Sequence, residues 1–254
     1  MRKLCFSRDD VSNGYLILVN QSHPLSKEIP KESLISAFPD APDILLEGKG
    51  AAMLSEALAC LNCEKKIVPV SGYRTMTEQK NIYRDSLREH GKHFTRKFVA
   101  VPGCSEHQSG LAIDLAENRD KIDFICPAFP YDGICGSFRA LAARYGFIER
   151  YPAGREKITG IAHEPWHFRY VGYPHSKIMK EKRLTLEEYT EYLKSYPYRG
   201  KHLHFQSDFL IFEIFYVPVN GENQAEAEIP ERMPYQVSGN NSGGVTVTLW
   251  GKAI

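Results

Sequence analysis

Ser105-Glu106-His107-Gln108-Ser109-Gly110-Leu111-Ala112-Ile113-Asp114 sets a histidine and a carboxylate seven residues apart, with a glycine between them. Gly103 and Gly110 mark tight backbone, and residues 111–115 alternate apolar with small or acidic side chains, as a half-buried strand does. On such a strand Leu111 and Ile113 face one side, Ala112 and Asp114 the other. A loop histidine at His107 can fold back over the face that carries Asp114. A neutral imidazole nitrogen beside an anionic oxygen suits zinc. Two ligands do not make a site, so a third must come from elsewhere.

The second stretch is His163-Glu164-Pro165-Trp166-His167-Phe168-Arg169-Tyr170, whose first five residues match HExxH, the helical zincin motif. Pro165 at its centre speaks against a helix, because proline disfavours helical backbone before it and has no N–H to donate. The Trp-His-Phe-Arg-Tyr-Val run that follows is aromatic and β-branched, the composition of a strand. On a strand His163 and His167 lie roughly 13 Å apart, at about 3.3 Å per residue, and cannot share an ion. His167 is therefore the expected third ligand. Glu164 sits on the turn leading into its strand, free to act on a water at the metal.

Three motifs in this order resemble the D-alanyl-D-alanine metallopeptidases, the VanX, VanY and VanXY proteins of glycopeptide resistance. They are Ser-x-His-x-x-Gly-x-Ala-x-Asp, Glu-x-x-His at a strand, and the upstream Ser71-Gly72-Tyr73-Arg74. The likeness spans about residues 15–173, opening with Gly14-Tyr15-Leu16-Ile17-Leu18-Val19-Asn20 and His23-Pro24-Leu25, and is nearest to the soluble VanXY type. It implies an α+β fold, an antiparallel sheet with flanking helices, related to lysostaphin-type and hedgehog domains. It also implies one zinc ion per chain, held by His107, Asp114 and His167. The activity implied is hydrolysis of D-Ala-D-Ala and of the C-terminal D-Ala of precursor pentapeptides; the preference for D-residues rests on the resemblance alone. In the family pattern Arg74 is catalytic, Ser105 hydrogen-bonds the substrate carboxylate, and Gln79 matches a recurrent substrate-binding glutamine.

Three protein ligands leave a position for water, the catalytic rather than the structural zinc arrangement. Zinc lowers the pKa of bound water from 15.7 to about 7 and polarises a carbonyl. Glu164 then serves as general base and afterwards as acid toward the departing amine. Arg74 carries a fixed charge suited to an oxyanion. Trp166 and Tyr73 read as walls. Two other readings stay open: an endopeptidase acting on peptidoglycan cross-links or stem peptides, and a zinc-stabilised binding module without catalysis.

The 254 residues, 43% hydrophobic, suffice for one sizeable core and a small appendix. A net charge of +1 with mixed signs implies neither nucleic acid nor a membrane surface as partner. The N-terminus has basic residues but no apolar core of a leader, and no segment reaches membrane-spanning length, so a cytoplasmic protein is expected. Small peptides are the expected partners. Cys5, Cys60, Cys63, Cys104, Cys126 and Cys135 are then reduced thiols. Cys60 and Cys63 have metal spacing but no second pair nearby, and read as packing residues, as does Cys104.

Residues 15–19 read as a first strand, 51–65 as an amphipathic helix and 67–70 as a short strand that delivers Arg74. Thr75-Met76-Thr77-Glu78 is a capping box opening a helix over 76–89 that stops before Gly91. Residues 116–136 form a long connection beginning just after Asp114, expected to be a movable rim that selects between small and large substrates. A helix over 137–145, a strand over 147–150 and a return to the site over 161–170 follow. A catalytic domain is expected over 1–200, including a helix over 184–196 with Thr185 as cap. A small β-rich extension is expected over 201–254, with a strand over 209–217, a turn over 239–244 and a strand over 245–250. His202 and His204 read as strand residues rather than ligands.

Overall fold

The computed structural model describes residues 1–63, 65–207, 209–219 and 224–253. Glu64, within the helix expected over 51–65, and residues 208, 220–223 and 254 of the expected extension lie outside them.

The chain opens with β1 (Arg2–Phe6) and α1 (Arg8–Val11). Next come β2 (Leu34–Ser36), β3 (Leu45–Glu47), α2 (Gly48–Cys60), β4 (Ile67–Ser71), α3 (Met76–Phe98) and β5 (Ala112–Glu117). They are followed by α4 (Gly133–Ala142), β6 (Phe147–Tyr151), α5 (Glu156–Thr159), β7 (Glu164–Tyr170) and α6 (His175–Lys182). The remainder is α7 (Leu186–Lys194), β8 (Leu203–Gln206), β9 (Leu210–Pro218), β10 (Ala225–Ile229), β11 (Tyr235–Gly239) and β12 (Gly244–Lys252). The fold is α+β. It forms two compact units, Val19–Thr185 and a second made of Met1–Leu18 with Leu186–Ile254. This grouping differs from a boundary at residue 200, because β1 pairs antiparallel with β10, Arg2 opposite Ile229, and so ties the chain's beginning to its end.

The unit Val19–Thr185 is built on an antiparallel sheet in the order β4-β5-β7-β6. Strand β5 lies inside it and is buried on both faces, not half-buried as its alternation suggests; only Glu117 at its end is partly exposed. The capping box forms as expected. Thr75 Oγ1 accepts from Glu78 N at 3.2 Å, and Glu78 Oε2 accepts from Thr75 N at 2.7 Å. Helix α3 breaks at Gly91, at φ 76°, but resumes to Phe98, so the expected stop is a kink. Ser86 and Thr95 hydroxyls, 2.8 Å apart, bind its two arms. The 116–136 connection narrows to residues 118–132, because β5 reaches Glu117 and α4 starts at Gly133.

The second unit holds a sheet in the order β11-β12-β9-β8 and the β1-β10 pair. Its core is apolar: Phe6, Phe215, Val217, Ala227, Ile229, Val245, Val247 and Leu249 are buried together. The 239–244 turn joins β11 and β12 as a hairpin, with Val237 opposite Val247. Residues 15–19 are not a strand. Leu16, Ile17, Leu18 and Val19 are buried, which explains their apolar run, but Leu16 N donates to Ser238 Oγ and Leu18 N to Asn240 O without building a ladder.

Candidate active site

Cross-strand pairing sets the site. Ser71 on β4 lies opposite Asp114 on β5, and Asp114 opposite His167 on β7. Directly opposed residues share a sheet face, so one row across three strands carries these side chains. His107 approaches from the short 3-10 turn Glu106–Ser109, closed by Gly110 in the left-handed region at φ 69°. Any Cβ at Gly110 would also press on Leu34 Cδ2, so glycine is needed there for both reasons. Gly72 leaves room as well: a Cβ there would strike the Leu45 carbonyl, and its own carbonyl is 2.7 Å from His107 Nδ1.

That contact fixes His107 with Nδ1–H donating and Nε2 turned inward, 3.1 Å from Asp114 Oδ2. His167 presents Nδ1, 2.9 Å from Asp114 Oδ1, while its Nε2 faces Glu106 Oε2 at 3.5 Å. Donor atoms of His107, Asp114 and His167 lie within 4.8 Å of one another, all buried. Each imidazole thus offers one nitrogen to the cluster and turns the other to an oxygen, the arrangement that orients metal-bound histidines. Two neutral-capable nitrogens and a carboxylate suit zinc, and the residues fit the ion.

Electrostatics agree with that fit. Burial opposes a charge on Asp114, but both histidines hold its carboxyl well below the usual range. Burial and then Arg74 push His107 down to about 4, so it is neutral and ready to bind metal at pH 7. For His167, burial is outweighed by its hydrogen bond to Asp114 and by the nearby Glu106 carboxylate, which raise it to about 9. Glu164 Oε2 is 3.7 Å from His167 Nδ1, and burial, reinforced by Asp114, raises the Glu164 carboxyl to about 8.

Arg74 stands at the end of β4, as its strand-to-helix position leads one to expect. Its Nη2 donates to Asp114 Oδ2 at 3.0 Å and its Nε to Ser71 Oγ at 2.8 Å, and its backbone N donates to His107 O at 3.2 Å. A cavity of about 350 Å³ opens over these groups, lined by Arg74, Ser105, His107, Asp114, Glu164 and His167. Small-ligand pockets begin at roughly 300 Å³. The hydroxyl of Ser105 makes no cap hydrogen bond in its turn and is left to the cavity. Trp166 lines the cavity and Tyr73 does not, so only Trp166 is a wall of it. Gln79 also departs from expectation. It is fully buried behind Arg74, its Oε1 3.4 Å from Arg74 Nη1 and its Nε2 donating to Ala100 O at 2.8 Å. His163 is turned away, with Nε2 2.7 Å from Tyr131 OH. His202 and His204 are elsewhere, His202 bound to Glu213 and His204 in β8.

Comparisons with known proteins bear on this geometry. Residues 50–173 match the family model VanY, D-alanyl-D-alanine carboxypeptidase. The bifunctional D-Ala-D-Ala dipeptidase and carboxypeptidase VanXYC of Enterococcus gallinarum is 44% identical over 180 residues, 70% of this chain and 94% of that protein. The chain belongs to the VanY D-alanyl-D-alanine carboxypeptidase family. Its fold is similar to that of the vancomycin-resistance D,D-dipeptidase VanXYg, solved in complex with a D-Ala-D-Ala phosphinate analogue. That likeness has a TM-score of 0.95, 47% identity, and covers 98% of this chain and 99% of the other. A vancomycin-resistance D,D-pentapeptidase VanY mutant, solved in complex with Zn(II), is similar at TM-score 0.54 and 28% identity, over 69% of this chain and 98% of that one.

Within this VanY-family site the motifs miss a layer behind His107, Asp114 and His167. Glu106 is wholly buried; its Oε1 accepts from Arg150 Nε at 2.7 Å and lies 2.8 Å from Arg169 Nη1, while Oε2 faces His167. Burial works against its charge, but Arg150 and then Arg169 outweigh it and hold its carboxyl well below the usual range. Tyr151, its ring 4.9 Å from that of His167, is another wall. Charged residues inside strands signal such partners, but not which one each meets.

Proposed function

We propose that this chain hydrolyses the D-Ala-D-Ala dipeptide and removes the C-terminal D-Ala of peptidoglycan precursor pentapeptides, as a zinc metallopeptidase of glycopeptide (vancomycin) resistance. One observation carries the reading: a buried His107–Asp114–His167 group with Glu164 beside it, at a cavity, in a chain so similar to a D,D-dipeptidase bound to a D-Ala-D-Ala analogue. One zinc ion per chain, held by these three residues, would supply Lewis acidity toward the scissile carbonyl and ease ionisation of water.

The chain's own groups do the rest. Glu164 takes the proton of the attacking water and delivers it to the departing amine. Burial raises that carboxylate's affinity for a proton, which favours the first half of the transfer. Arg74 donates to the carbonyl oxygen as negative charge gathers there; its Nε bond to Ser71 and the amide of Gln79 fix its fork in place. Gln79 thus acts through Arg74 rather than by touching substrate. Ser105 donates its hydroxyl to the substrate's terminal carboxylate.

Residues 118–132 form the rim, with Phe124 and Ile125 at the cavity's edge, Phe124 being 77% exposed. We infer that this rim selects substrate size; shortening it should change the dipeptide-to-pentapeptide rate ratio, and equal effects on both would reject it. Every residue lining the cavity belongs to Val19–Thr185. This supports catalysis confined to that unit, with the C-terminal strands as an accessory. No helix among the described residues is long and apolar enough to cross a membrane. The free cysteines accord with a reducing, cytoplasmic setting, which fractionation would test.

The deciding experiment incubates purified protein with D-Ala-D-Ala and with a precursor pentapeptide, with and without chelator. Free D-alanine should appear from both and vanish on chelation. Cleavage of cross-linked stem peptides alone would point to an endopeptidase, and release from nothing, with zinc bound, to a binding module.

A further inference from the structure

Two residues of an unbroken strand that stand three apart point to opposite faces. Glu164 and His167 nevertheless share the cavity. The pairing of β6 with β7 shows how. Glu149 lies opposite Phe168 and Tyr151 opposite Glu164, so two steps along β6 match four along β7. The surplus is a bulge around Pro165 and Trp166, which turns Glu164 inward. A bulge also takes backbone groups out of the ladder, and the Pro165 carbonyl is one that finds a partner elsewhere. Arg139 Nη2 donates to it at 3.0 Å, and to Phe129 O at 3.1 Å.

Arg139 is itself held. Its Nη1 pairs with the Glu149 carboxylate, and its guanidinium lies 4.0 Å over the Tyr131 ring. Glu149 Oε1 accepts from Tyr131 OH at 2.5 Å, and the same phenol oxygen is 2.7 Å from His163 Nε2. Both chain neighbours of Glu164 are therefore tied down, His163 through Tyr131 and Pro165 through Arg139. Phe129 and Tyr131 belong to the foot of the rim. We propose that Arg139, fixed by Glu149, is a positioning residue that clamps the β7 bulge and so aims the Glu164 carboxylate into the cavity.

The inference rests on the reading of Glu164 as the proton-transferring group, and the test separates the two. Arg139→Lys keeps the charge but loses the planar fork that spans a carboxylate and two carbonyls. It should lower kcat on D-Ala-D-Ala about 10- to 100-fold, the usual effect of losing a residue that orients a site, with KM and bound zinc unchanged. Combined with Glu164→Gln, it should cost little further, because the carboxylate it aims is gone. Glu149→Gln, which loosens Arg139 at constant shape, should show the same pattern more weakly and serves if Arg139→Lys does not fold. Wild-type kcat in both variants would overturn the proposal, as would zinc loss or rate losses that multiply in the Glu164→Gln background. Full activity of Glu164→Gln alone would remove the base assignment, and this inference with it.

Discussion

Among the described residues the molecule contains two four-stranded antiparallel sheets, and they differ in whether they bury charge beside their apolar residues. The β11-β12-β9-β8 sheet contributes Phe215, Val217, Val245, Val247 and Leu249 to an apolar core. The β4-β5-β7-β6 sheet buries Asp114, Arg150, Glu164, His167 and Arg169, along with Glu106 from the adjoining turn. Apolar burial tolerates many sequences of similar volume. Buried charge holds only while every partner is present, since an unpaired ion in the interior is costly. The first design favours a stable frame; the second builds a polarised site and makes its parts interdependent.

The sharpest way to test this contrast is to remove single groups from the charged sheet. Glu164→Ala should lower turnover by about 10²- to 10⁴-fold, the range for general acid–base catalysis, while zinc remains bound. His107→Ala should lose metal and turnover together, as metal analysis beside the assay would show. Near-normal turnover in Glu164→Ala would remove its assignment as base.

Glu106→Gln should leave Arg150 and Arg169 facing each other without their carboxylate. A loss of about 3–5 kcal/mol in chemical denaturation is expected, together with weaker zinc binding through His167. Leu249→Ala in β12 is the counterpart in the apolar sheet. It should cost about 2–5 kcal/mol as a cavity opens, yet leave kcat per folded molecule unchanged. Equal effects of both substitutions on zinc affinity would erase the distinction.

The smallest expected effect is a dependence on pH. In the fold Glu164 keeps its proton to about 8 because burial disfavours the carboxylate, against an ordinary 4.5. Between those values the folded chain binds more protons than the unfolded one, so this contribution is complete below 4.5 and lost as pH rises through 8. His167, raised from 6.5 to about 9, adds a loss of the same sign across its own interval. Metal-free protein should therefore weaken as pH rises from 6.5 to 9. Zinc-loaded protein should not, because metal binding requires the neutral imidazole and is favoured by rising pH. Melting curves with chelator and with zinc should diverge over that interval; parallel curves would count against His167 as a ligand.

Residue types and spacing were enough to bring out the central chemistry. The convergence of His107, Asp114 and His167 was legible because a metal needs a particular donor set, and Pro165 excluded a helix for local steric reasons. The capping box of α3 and the 239–244 hairpin were legible on the same ground, since each is satisfied within a few residues. Tertiary structure decided whatever depends on distant partners. The run 15–19 has a strand's composition but no ladder to join, and burial alone accounts for it. Gln79 went behind Arg74 rather than to the cavity, and Glu106 met Arg150 and Arg169, because the sheet's pairing, not the motif, sets which buried charges touch. The inward turn of Glu164 belongs with these. Its place beside His167 was expected from a turn leading into the strand, but Glu164 lies within β7, where a spacing of three points it away, and a bulge in the β6–β7 ladder brings the two to one face.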